Sequence, residues 1–235
     1  VSNCFFGTIP SFICNCNSLI SLVLDGLSSA RVCRNTLLDS RLSSSYSLSN
    51  AVSGKIPTCL WQMPLLATLH LSGNGITGAL LLAEGNISLS LTDLALSHNL
   101  LTGSIPRIIQ QRKWSNLDLS FNRLTGTLYS DFASSNAQQE PNSTSLSLEN
   151  NRLSGVIPLS IGSMTNVSVL GSNVFSCDID GRNLPQHDSG RINYQCSSMA
   201  FDVPYYIWLS LVGVLIMALL ALWKQGDKLT KFVGL

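Results

Sequence analysis

The chain offers no seat for a nucleotide: no glycine-rich phosphate loop with its lysine and no kinase signature occurs in its 235 residues. Cysteines at zinc-finger spacing are missing too, because Cys14 and Cys16 form a lone C-x-C without a second pair. Charge is scarce, at 11% of residues, and residues 1–203 carry 11 Lys+Arg against 12 Asp+Glu, net −1. A balance so close to zero argues against nucleic acid as a partner. Histidine numbers only 3. His70 and His98 differ by three residues in their place along the repeat, roughly 10 Å along a strand, too far to share a metal. The cluster His187, Asp188 and Ser189 is contiguous, and contiguous residues cannot converge as nucleophile, base and orienter. Neither an enzyme nor a cofactor is expected.

What is present is a period. Leu69, Leu71, Asn74, Ile76 and Gly78 recur as Leu94, Leu96, Asn99, Leu101 and Gly103, then as Leu117, Leu119, Asn122, Leu124 and Gly126. A further turn holds Leu146, Leu148, Asn151, Leu153 and Gly155. Repetition at this interval means a solenoid. Two leucines one residue apart face the same side of a strand, and so short a strand cannot bury that side without a neighbour. The asparagine follows where the chain turns, with a side chain able to satisfy backbone groups of adjacent coils. The glycine supplies freedom at the next bend, and Ile-Pro adds an apolar anchor and a fixed turn.

These residues resemble the leucine-rich repeat in the form LxxLxLxxNxLxGxIP, typical of plant cell-surface receptors. Four G-x-I-P endings stand at Gly7–Pro10, Gly54–Pro57, Gly103–Pro106 and Gly155–Pro158. The asparagine slots fall at 3, 27, 50, 74, 99, 122, 151 and 173, so the resemblance covers most of residues 1–177. It implies an α/β solenoid with parallel strands on a concave face, few helices and an irregular convex side. Slot 27 is Leu27, and the Ser- and Arg-rich stretch 28–49 is read as an irregular coil. The long interval before Asn151 places a polar insertion at Ser130–Ser143. The chain opens at Val1 in the middle of a repeat, which makes a fragment of a longer protein the expectation.

Tyr205–Trp223 is a run of 19 residues without a charge. At 1.5 Å per residue it spans roughly 28 Å, close to a bilayer's hydrocarbon core of about 30 Å. Tyr205, Tyr206, Trp208 and Trp223 suit interfacial belts, and Lys224, Lys228 and Lys231 set the C-terminal side as cytoplasmic. The expected organisation is a solenoid of about seven repeats over 1–176, a cap and juxtamembrane segment over 177–203, a transmembrane helix over 204–223, and a tail over 224–235. Sequons at Asn86, Asn142 and Asn166 would then face outward as glycosylation sites. Cys177 and Cys196 bracket the cap and are expected to pair, while the connectivity of Cys4, Cys14, Cys16, Cys33 and Cys59 stays open.

Residues flanking the buried leucines should line the concave face. Among them Phe121 is the anchor candidate, with His70, His98, Asp118 and Glu149 as polar neighbours. The resemblance implies a single-pass plasma-membrane receptor-like protein that recognises an extracellular protein, peptide or glycan and signals through a co-receptor kinase. Alternatives are a tethered wall or adhesion protein, a module like the polygalacturonase inhibitors, or the ectodomain fragment of a receptor kinase.

Overall fold

A computed structural model describes residues 6–26, 51–82, 87–134, 144–178, 181–196 and 199–233, the chain dividing into units Val1–Tyr194 and Gln195–Leu235. In the first unit, each L-x-L segment forms a three-residue strand. These are β2 (Ser21–Val23), β4 (Thr68–His70), β6 (Asp93–Ala95), β8 (Asn116–Asp118), β10 (Ser145–Ser147) and β12 (Asn166–Ser168). They join in one parallel sheet in that order, the concave sheet. Its register is flush, so that Leu22, Leu69, Leu94, Leu117, Leu146 and Val167 stand opposite one another as a buried row. Leu71, Leu96, Leu119, Leu148 and Val169 make a second buried row. A leucine so buried contributes roughly 1.5–3 kcal/mol, but only because the neighbouring coil covers it.

The half of the repeat beyond the asparagine is more regular than the sequence suggests. It forms a second parallel sheet in the order β1 (Phe6–Thr8), β3 (Ala51–Gly54), β5 (Gly75–Gly78), β7 (Leu100–Ser104), β9 (Arg123–Thr127), β11 (Arg152–Val156) and β13 (Val174–Ser176). Here Thr102 faces Arg123 and Thr125 faces Arg152, a slip of two residues per strand relative to the repeat. Convex segments close each coil: 3-10 turns at Ser11–Asn15 and Thr58–Gln62, and short helices α1 (Arg107–Gln111) and α2 (Leu159–Gly162). Glycine is required at Gly155, where φ is +81° and an added Cβ would lie 2.8 Å from Thr127 Cγ2.

One count of the coils needs revision. Leu22 pairs directly with Leu69, 47 residues on, whereas later rows advance by 25, 23, 29 and 21. Slots 27 and 50 are therefore not successive rungs of the concave sheet; β2 and β3 bracket a single step. The stretch 28–49 lies outside the described residues, as do positions 135–143 of the expected insertion.

The asparagines form the ladder. Asn122 Nδ2 donates to Leu96 O at 3.0 Å, Leu119 O at 3.1 Å and Ser120 O at 3.0 Å, while its Oδ1 accepts from Leu101 N at 3.1 Å. Asn99, Asn151 and Asn173 repeat this pattern. Asn74 donates in the same way, but its buried Oδ1 has no partner among the described residues.

A disulfide joins Cys14 to Cys59 between the first two convex turns, at a Cα–Cα distance of 5.9 Å. The sequence left this pair open, and the structure closes it because both cysteines follow a Pro that starts a convex turn. At the other end, buried Asp188 accepts from Val169 N and Leu170 N through Oδ2 and from Gly190 N through Oδ1. Its carboxylate thus occupies backbone donors that have no further coil to pair with, a cap in place of the catalytic role its neighbours might suggest. Tyr194 adds its hydroxyl to Asn173 O, and burial raises its pKa.

The second unit is dominated by α3 (Met199–Val233), a helix of 35 residues. Within it Tyr205–Lys224 has a mean hydropathy of 2.3 and no buried residue, and it is long and apolar enough to cross a membrane. The helix continues beyond Trp223 through residues read from sequence as a tail.

Candidate functional site

Alternation along each concave strand turns the residues beside the buried leucine outward. The first outward row runs Thr68, Asp93, Asn116 and Ser145; the second runs His70, Ala95, Asp118 and Ser147. Polar side chains link across strands. His70 Nε2 lies 2.8 Å from Asp93 Oδ1, which also accepts from Asn116 Nδ2 at 2.9 Å, tying β4, β6 and β8 together. Because Asp93 accepts, His70 presents a protonated Nε2 to it, which leaves Nδ1 for other contacts.

Asp118 is held within its own turn by Ser120, whose amide and hydroxyl reach Oδ1 at 3.1 Å and 2.6 Å. Glu149 Oε2 accepts from Ser168 Oγ at 2.7 Å, and Asp25 accepts from Ser72 N at 2.7 Å. The concave strands and the two residues after each carry Asp25, Asp93, Asp118 and Glu149, and no Lys or Arg among the described residues. This face is acidic although the solenoid as a whole is near neutral.

The residue before each ladder asparagine sits in the left-handed region: Gly73 at φ +72°, His98 and Phe121 at +53°, Asn150 at +55° and Ser172 at +56°. That conformation costs a side-chain-bearing residue roughly 1–2 kcal/mol and glycine almost nothing. Two of these positions carry aromatic rings on adjacent coils. His98 and Phe121 stack with centroids 4.0 Å apart and an interplanar angle of 10°, and Phe121 keeps 39% of its surface exposed.

Of the sequence-chosen residues, the structure therefore brings His98 and Phe121 into contact and keeps His70, Asp118 and Glu149 in separate polar links. Asp93, the partner of His70, is one of the outward positions flanking the leucines but was not chosen from sequence as a site residue, and neither was Asn116, which donates to Asp93. The stack itself has a legible signal, since both rings occupy the slot before the asparagine. Asn166 is exposed on β12, the last strand of the concave sheet, whereas Asn86 and Asn142 lie outside the described residues. Cys177 and Cys196 are each disulfide-bonded, and Cys16 is free and exposed. No group of three or more His, Cys, Asp and Glu among the described residues could hold a metal.

On the convex side, Arg107 contacts Asp131 at 2.6 Å and lies 5.3 Å from the Tyr129 ring centroid. Hydrogen bonds from Arg107 and Gln111 lower the Asp131 pKa. Arg112 stacks on Trp114 and donates to Ser88 O and Leu89 O, and its burial lowers its pKa. These groups clamp coil to coil and leave little for a ligand.

The family model for the Leucine Rich Repeat matches residues 90–111, 113–135 and 142–164. Receptor-like protein 35 of Arabidopsis thaliana is 34% identical over 188 residues, which are 79% of this chain and 14% of that protein. The chain thus spans only a small part of that relative's length. Among solved structures, the ectodomain of the Arabidopsis membrane receptor kinase GASSHO1/SCHENGEN3, in complex with CASPARIAN STRIP INTEGRITY FACTOR 2, is 30% identical. It matches with a TM-score of 0.56 over 74% of this chain and 18% of that one. The Arabidopsis HAESA ectodomain, in complex with an IDA peptide hormone, is 25% identical with a TM-score of 0.52, over 80% of this chain and 31% of that one.

Proposed function

This chain belongs to the plant-type leucine-rich repeat receptor-like proteins, and on that premise we propose that its concave face recognises an extracellular polypeptide carrying positive charge. In this reading the recognition is passed to a partner kinase. The repeats lie outside the plasma membrane and α3 anchors them.

The observation that carries this reading is the His98–Phe121 stack. Residues in left-handed conformations persist where something other than local stability keeps them. Gly73 fills the same slot at no cost, so two strained aromatic rings side by side mark an apolar anchor. Asp93, Asp118 and Glu149 stand on the concave strands and the turns directly after them, where no Lys or Arg occurs among the described residues, which favours lysine- or arginine-bearing segments. The HAESA and GASSHO1/SCHENGEN3 ectodomains, each solved in complex with its ligand, support the use of this fold as a receptor surface.

The test uses the full chain in lipid nanodiscs, immobilised and exposed to extracellular fluid from plant tissue. A polypeptide retained by the native chain should be lost with His98→Gly plus Phe121→Gly and weakened by Asp118→Ala. The glycine pair should stay folded, since relief of about 1 kcal/mol of strain per residue offsets a stack worth roughly 0.5–1.5 kcal/mol. Equal retention by all three proteins would remove the proposed face. The outward placement predicts a glycan at Asn166, seen as a mass shift on glycosidase treatment.

A further inference from the structure

The near-zero net charge hides a segregation by face. While the concave strands bear acids, three cations stand on or directly beside the second sheet, Arg123 on β9, Arg152 on β11 and Lys55 just after β3, and the one acid as near is at the far edge, two residues beyond β13, at position 178. All three are exposed, and none makes an ion pair or side-chain hydrogen bond with a described residue. Arg152 faces Thr125, which lies two residues along the same side of β9 from Arg123. The two guanidinium-bearing positions are therefore about 8 Å apart at Cα, one strand across and two residues along. Lys55 runs its methylenes over Gly78, 3.3–3.6 Å from where a Cβ would stand, so its chain leans across β5 toward β7.

Between these cations lies a run of exposed hydroxyls at Thr77, Thr102 and Thr125. Thr77 donates its proton inward to Gly54 O at 3.3 Å, which leaves oxygen lone pairs facing out. Among the residues of β3 to β13 in this sheet, the one ring, Phe175, is buried, and the exposed apolar groups Leu100, Val156 and Val174 are aliphatic, without the aromatic anchor that protein interfaces usually centre on. Unpaired cations set beside a row of hydroxyl acceptors fit a hydrated chain that supplies carboxylates and hydroxyl donors together.

We propose that the outer side of the second sheet binds a carboxylate-bearing polysaccharide, with Arg123 and Arg152 pairing its carboxylates. Its cations are distinct from the rings and acids assigned to the concave face, so substitutions at each can be read separately.

The probe is soluble polygalacturonate, offered to the full chain in uncharged detergent micelles at about 50 mM salt, where surface ion pairing is weakly screened. Binding is expected for the native protein, absent with neutral dextran, and weaker by about tenfold or more in Arg123→Gln plus Arg152→Gln, with an unchanged circular dichroism spectrum. Arg123→Lys plus Arg152→Lys should restore most of it, while His98→Gly plus Phe121→Gly should leave it untouched. Absence of binding, equal affinity of the glutamine variant, or equal binding of dextran would overturn the proposal. So would self-association that the glutamine variant abolishes while polygalacturonate is ignored, since the occupant would then be the acidic face of a second copy.

Discussion

Replacing Asn122 by alanine removes one acceptor and an amide that serves three carbonyls, all buried. The Leu101 amide loses its partner outright, at roughly 2 kcal/mol. Each carbonyl has a second lone pair, so the three together lose about 2–3 kcal/mol, for a total near 4–5 kcal/mol. Asn74→Ala removes the same kind of donors, but its Oδ1 has no partner to orphan among the described residues, and deleting that buried oxygen relieves a standing penalty. The difference between the two substitutions should be about 2 kcal/mol, near a thirtyfold change in the folding equilibrium. Asn122→Asp should be at least as damaging as alanine, because a carboxylate would face three carbonyl oxygens. Urea unfolding of the full chain in micelles, followed by circular dichroism, measures the order. Hydrogen exchange at the Leu101 amide localises it. If Asn74→Ala cost as much as Asn122→Ala, or if Leu101 stayed protected in the alanine variant, the ladder would not carry the load assigned to it.

Asp188→Asn should cost about 2–3 kcal/mol and deprotect the Val169 and Leu170 amides specifically, as hydrogen exchange would report. Serine at both Cys14 and Cys59 should lower stability by about 2–4 kcal/mol, and reduction should depress the melting temperature of the native chain by more than that of the variant, in which the disulfide-bonded Cys177 and Cys196 remain. Asp131 has its pKa lowered by Arg107 and Gln111, so its contribution is present at neutral pH and fades as the pH falls below the ordinary carboxylate value of 3.8. Asp131→Asn should therefore flatten the loss of stability between neutral and strongly acidic solution, measured by thermal melts across pH.

Much of this architecture is readable from residue spacing. The buried rows follow from L-x-L, the amide ladder from the asparagine slot, and the positive-φ glycines from G-x-I-P, because each position repeats and each repeat faces the same physics. Where the period stops, legibility stops with it. Leu27 and Asn50 fit the spacing of two rungs, yet β2 pairs with β4, since only strand pairing decides which segments become neighbours. Asp188 and Tyr194 act once each, at an end, so no recurrence announces them. The His70–Asp93 link is diagonal to the repeat frame, and comparing equivalent positions could not find it. The His98–Phe121 contact and the Cys14–Cys59 bond, by contrast, join similar places on successive coils and were there to be found.

The flush alignment of the concave strands imposes a gearing on anything stretched across them. Rungs recur about every 4.8 Å, while an extended polypeptide advances about 3.3 Å per residue. Three of its residues thus travel nearly as far as two rungs, and side chains pointing at the protein, which alternate, return to an equivalent rung only every six residues. A guest crossing all six rungs covers about 24 Å with seven or eight residues. Its grip must come from a few well-placed contacts, because inward side chains and rungs coincide only once in every six residues.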